Sequence, residues 1–134
     1  MKNYQEFYKQ MGNLLYSIAA IDGKIASKEL KELRRMVREE LVPQEKHNDE
    51  FGTDAAFAVE FQFDVLEGSD APSSDAWDEA KEYLKHNSAL LPEKDRNLLM
   101  HGAEHVAAAF HGISKAEHVL LDKLKVLLAV PLHS

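Results

Sequence analysis

The sequence predicts an all-α protein, a compact bundle of about six helices in a single domain covering residues 1–134. Three observations lead there. Apolar residues recur at helical spacing in six segments, with almost no alternating strand pattern. The stretch Ile18-Ala19-Ala20-Ile21-Asp22-Gly23-Lys24-Ile25 returns in weaker form as Val106-Ala107-Ala108-Ala109-Phe110-His111-Gly112-Ile113. Each copy runs from a small-residue helix through a polar residue and glycine to an isoleucine, then to a helix bearing Glu29 or Glu117. The bundle is therefore expected to contain two pseudo-symmetric helix–turn–helix units. Finally, 134 residues without cysteine can build one hydrophobic core and need no disulfide staple.

The first helix is predicted over about Tyr4 to Ile21, with Phe7, Met11, Leu14, Leu15 and Ile18 on its apolar face. It stops at Asp22-Gly23, because glycine accepts the left-handed position after a helix. The second, about Ser27 to Leu41, turns Leu30, Leu33, Met36 and Val37 inward and its Lys and Arg residues outward; Pro43 ends it. Gln44 to Phe51 reads as a polar connection. The third helix, about Thr53 to Glu67, is apolar around most of its girth, which predicts a helix surrounded by others. Its polar ridge is Glu60, Asp64 and Glu67. After Gly68 to Ser74 a fourth helix, about Asp75 to Lys85, carries Trp77, Ala80, Tyr83 and Leu84. Pro92 suits the first turn of a fifth helix reaching Phe110. The sixth, Lys115 to Ala129, bears Val119, Leu120, Leu124, Leu127 and Leu128 and stops before Pro131. The aromatics Phe7, Tyr16, Phe57, Phe61, Phe63, Trp77 and Phe110 are all expected in the core.

Net charge is −7, and the imbalance is local: twelve carboxylates between Gln44 and Glu82 stand against Lys46 and Lys81. Such a field repels phosphate backbones, so nucleic acid is not an expected partner. No basic start followed by an apolar run opens the chain. No apolar stretch approaches the roughly 20 residues that cross a bilayer. A soluble, cytoplasmic protein without membrane insertion is expected. Absence of cysteine excludes thiolate metal sites and cysteine enzymes. No phosphate-binding glycine loop or nucleophile elbow is present.

Ser114-Lys115-Ala116-Glu117 has the form of a capping box, in which Ser114 and Glu117 satisfy each other's backbone N–H groups. In the N-terminal copy Ala26 occupies the place of Ser114 and Ser27 is displaced by one, so the same capping box is not expected there. The turns Asp22-Gly23-Lys24-Ile25 and His111-Gly112-Ile113, with the acidic residues that follow, resemble the tellurite-resistance TerB-like family, whose helix pairs are joined by an Asp-Gly-x-Ile/Val turn. The resemblance is clearest over Leu14 to Val37 and weaker over Ala103 to Leu128. It implies an all-α fold with two related helix pairs, a cytoplasmic stress-response role, and divalent-metal binding through the acidic turns. A related domain belongs to a membrane-anchored J-domain co-chaperone, which implies an interaction module. The family's acidic positions fall on Asp22 and Glu29; at the second turn His111 replaces the aspartate.

Asp22 follows a helix C-terminus whose carbonyls already carry partial negative charge, so either Lys24 or a bound cation would offset it. Glu60 and Asp64 share a face and extend the candidate metal set to Asp22, Glu29, Glu60 and Asp64. An all-oxygen set of this kind suits Ca²⁺ or Mg²⁺. The alternatives are equally concrete: Asp22 as a turn former, Glu29 and Glu117 as caps, Glu60 and Asp64 as partners of Lys or Arg. His101 and His105, spaced i, i+4, have the geometry of a helical zinc pair but lack an evident third ligand. The basic face of the second helix, Lys24 to Arg38, would suit an acidic partner, including another copy's acidic middle. Three functions remain open: a non-enzymatic TerB-like module binding a divalent cation or a partner protein, a pure protein-interaction domain, and a histidine-based metal hydrolase. A homo-oligomer is compatible with each.

Overall fold

The computed structural model describes residues 4–21, 25, 27–41, 48–109 and 115–128. Among them are six α-helices and no strand, the all-α bundle expected. They are α1 (Tyr4–Ala19), α2 (Ser27–Met36), α3 (Asn48–Gly68), α4 (Ser73–Asn87), α5 (Glu93–Ala109) and α6 (Lys115–Leu128). A π-helical turn (Val37–Leu41) continues α2, and a 3₁₀ turn (Ser88–Leu90) follows α4. Asp22, Gly23, Lys24, Phe110, His111, Gly112, Ile113 and Ser114 lie outside the described residues, so the two expected turns do too.

Helix α1 is the centre of the bundle. It packs against α3, α4 and α5, while α6 lies on α4 and α5. Phe7, Met11, Leu14, Leu15 and Ile18 are at most 1% exposed. Even its polar Gln10, Asn13 and Ser17 are buried. Those polar groups are uncharged and partnered, which makes their burial tolerable. Asn13 Nδ2 donates to Gln10 Oε1 (2.9 Å) and Glu79 Oε2 (2.9 Å), and Gln62 Nε2 donates to Asn13 Oδ1 (2.8 Å). This chain ties α1 to both α3 and α4. At Gly12 the helices nearly touch: a Cβ there would lie 2.9 Å from Gln62 Cβ and 3.1 Å from the Val59 carbonyl oxygen.

The expectation that α3 is the helix surrounded by others is corrected. Val59, Phe63 and Leu66 are buried, but Phe57 and Phe61 are exposed, so two expected core aromatics are not in the core. A helix that is apolar around most of its girth offers one face to the core; the rest needs further neighbours, which the described helices do not supply. The other core assignments for Phe7, Tyr16, Phe63 and Trp77 hold. Helix α3 also begins at Asn48, inside the segment expected as a connection. Asn48, Asp49 and Glu50 are residue types that favour helix starts. In α6, Leu121 is buried and Val119 faces outward, a shift of the expected stripe.

The link from α3 to α4 is tied down by two side chains. Tyr16 Oη donates to the Ala71 carbonyl (3.2 Å), and Ser73 Oγ donates to the Ser17 carbonyl (2.7 Å). Asp70 takes a left-handed φ of 55° in this link, a conformation that aspartate tolerates better than most residues.

Candidate functional site

On α3, Phe57, Phe61 and Val65 stand at i, i+4 and i+8, a single row along one face of a helix. They are 70%, 61% and 45% exposed. The opposite face, with Val59, Gln62, Phe63 and Leu66, is sealed against the bundle. Aromatic side chains present roughly 150–250 Å² each, so this row leaves on the order of 300 Å² of apolar surface open to water. The largest apolar patch on a typical monomer is of about this size, 300–600 Å², and is often functional.

An ionic seam flanks the row. Glu60 is buried at 6% exposure although it is a carboxylate inside an apolar helix. Its compensation is Arg38, whose Nη2 donates to Oε1 at 2.8 Å and to Oε2 at 3.0 Å, with Nε 3.2 Å from Oε2. Arg34 adds a second cation 3.8 Å from Glu60 Oε1 and also pairs with Asp64. The π-helical turn begins at Val37 and holds Arg38, so α2 and its extension deliver both guanidinium groups to α3. A fork of this kind is the strong form of the carboxylate hydrogen bond. Part of the basic face of α2 therefore meets the acidic middle of its own chain.

Of the four candidate metal ligands, Asp22 lies outside the described residues. Glu29 occupies the first turn of α2, half-buried. Glu60 and Asp64 come together on α3, and the charges facing them are arginines. Among the described residues no group of three or more histidines or carboxylates is arranged to hold a metal ion. Glu117 is 1% exposed in the first turn of α6, the position a capping-box glutamate takes. His101 and His105 stack edge to face with ring centroids 5.7 Å apart. Near them, Glu32 is held below the usual carboxylate range by a hydrogen bond from Arg35, reinforced by the charges of Arg35 and His105.

Two further features belong to the frame and not to the row. A cleft of about 570 Å³ opens beside Tyr16, Ile21, Asp70, Ser73, Trp77 and Leu120. The hydroxyls of Tyr16 and Ser73 there are engaged in the backbone contacts that hold the link between α3 and α4. Tyr83 is pushed up to about 12 by burial first, then by the nearby charges of Glu6 and Asp95.

The row at Phe57, Phe61 and Val65 is the feature the apolar pattern concealed. A continuous apolar run does not say which side meets the core. The signal available in the sequence was that the run supplies two faces, and that Glu60 sits between them.

No family model, characterised protein or solved structure matches this chain. No helix among the described residues is long and apolar enough to cross a membrane.

Proposed function

We propose that this chain is a non-enzymatic protein-interaction module whose docking face is the outer side of α3. The observation that carries the proposal is the aligned exposure of Phe57, Phe61 and Val65 on a helix whose other face is core. Leaving two phenylalanines in water forgoes the apolar burial that stabilises folds, and aromatic residues are enriched where partners bind. The charged pairs Arg38–Glu60 and Arg34–Asp64 form a polar rim beside the row, the anatomy of a protein interface.

The resemblance to TerB-like domains supports the same reading, since a relative serves as part of a co-chaperone, and it favours a place in a stress response. A divalent cation is not part of the proposal. Glu60 and Asp64 already face guanidinium groups, which a metal ion would have to displace.

The test is site-specific photo-crosslinking in cells, with a benzophenone amino acid at position 61 and a control at Lys85, an exposed position on α4. A discrete protein adduct formed from position 61 and absent from position 85 is expected. The same adducts from both positions, or none from 61, would refute the docking face.

A further inference from the structure

We infer that His101 and His105 form an open two-imidazole site on α5 for a late first-row divalent transition metal, such as Zn²⁺ or Cu²⁺. This site is separate from the α3 face and does not depend on it. The two histidines stand one turn apart, so their side chains rise from the same side of the helix. Ala103, Val106 and Ala107 turn the other side to the core, which leaves His101 exposed and His105 half-buried.

Ring geometry fits a shared ion. The ring centroids are 5.7 Å apart and the planes are inclined at 63°. A metal–nitrogen bond of about 2.0–2.1 Å, with ~1.1 Å more from nitrogen to ring centre, puts each centre ~3.2 Å from the ion. Two imidazoles meeting at a tetrahedral angle then have centres ~5.2 Å apart. The observed separation differs from that by only ~0.5 Å, which a small side-chain rotation closes. An imidazole partnered through one ring nitrogen coordinates through the other, so contacts of His105 elsewhere do not bar it.

Donor type selects the ion. Imidazole nitrogen suits Cu²⁺, Ni²⁺ and Zn²⁺, whereas Ca²⁺ and Mg²⁺ prefer oxygen. Among these Cu²⁺ binds tightest to a given nitrogen site. Glu32 of α2 feels the charge of His105, but its carboxylate accepts from Arg35 at 2.6 Å and is left out of the ligand set. Among the described residues no third histidine or carboxylate completes a cage. Two protein ligands leave the remaining positions of a four-coordinate ion to water, so the site is open and the fold does not depend on it.

The experiment titrates the full chain with Zn²⁺, reading imidazole nitrogen shifts by NMR and affinity by calorimetry. The variants are His101→Ala, His105→Ala, the two combined, and the control His86→Ala, an exposed histidine on α4, each checked by circular dichroism. Zn²⁺ is expected to bind with a Kd of ~0.1 mM or below and to shift the rings of His101 and His105. Each single variant should weaken binding about tenfold or more, and His86→Ala should not change it. The double variant should fall no further than the weaker single one, because either loss ends the chelate. Cu²⁺ should displace Zn²⁺, and Mg²⁺ should not. His101 is exposed, so His101→Ala decides if His105→Ala fails to fold. No binding at ~1 mM Zn²⁺, ring shifts confined to other histidines, or a loss short of tenfold in both single variants overturns the inference. Additive losses in the double variant, or displacement by Mg²⁺, overturn it as well.

Discussion

Replacing Gly12 with alanine tests how closely α1 and α3 must approach. The added methyl would lie 2.9 Å from Gln62 Cβ and 3.1 Å from the Val59 carbonyl oxygen. The first atom is fixed to the backbone of α3 and the second is backbone, so neither can swing away. The helices must part, or α1 must shift. Overpacking of this kind costs about 1–3 kcal/mol. Separation also strains the buried bond from Gln62 to Asn13 at 2.8 Å, which a slightly longer distance weakens by up to ~1 kcal/mol. Against this, alanine is favoured over glycine inside a helix by ~0.8–1 kcal/mol. The net expectation is a loss of about 1.5 kcal/mol at the centres of these ranges, within limits of about 0–3 kcal/mol, read from the urea midpoint at constant m-value. Gly12→Val should lose more, because its branched Cβ adds bulk at the same point. A stabilised Gly12→Ala would mean that propensity outweighs contact and that α1 and α3 are not pinned together there.

The pair Arg38–Glu60 should show a favourable coupling of about 1–3 kcal/mol in a double-mutant cycle to alanine, measured by urea unfolding. This is below the 3–5 kcal/mol of a fully buried pair, since Arg38 is 67% exposed and Arg34 remains near Glu60 after Arg38 is cut back. Glu60→Leu alone is expected to be less damaging than Arg38→Ala, because it removes the buried charge, whereas Arg38→Ala leaves Glu60 only Arg34 at 3.8 Å. Tyr83 loses its proton near 10 when unfolded and near 12 when folded, so the unfolded state holds fewer protons between these values. Stability should therefore fall as pH rises through that window, and Tyr83→Phe should flatten the part of the fall that Tyr83 causes; identical profiles for the two proteins would remove its role.

The helices were legible because their signals are local. Phe7, Met11, Leu14, Leu15 and Ile18 mark the buried face of α1 by spacing alone, and Trp77, Ala80 and Leu84 do so for α4. The polar face of α1 was not legible as buried, because Asn13 is placed by Gln62 and Glu79, 49 and 66 residues away in the chain. The pairing of Glu60 and Asp64 was foreseen only as an alternative to metal binding. Their partners Arg38 and Arg34 arrive from α2 and its π-helical turn, which no spacing within α3 reveals. Phe57 and Phe61 were misplaced for the same reason: periodicity identifies a second apolar face but not whether another helix covers it.

If Phe57 and Phe61 serve docking and not folding, both rings face water in the free protein, where they are 70% and 61% exposed. The urea midpoint of the double variant Phe57→Ser, Phe61→Ser tests it most directly. A change within ~0.5 kcal/mol of the parent is expected, the range of ordinary surface substitutions. A loss on the order of 3–5 kcal/mol or more, as for truncating core phenylalanines, would show that these rings are packed inside the fold and would contradict the docking face.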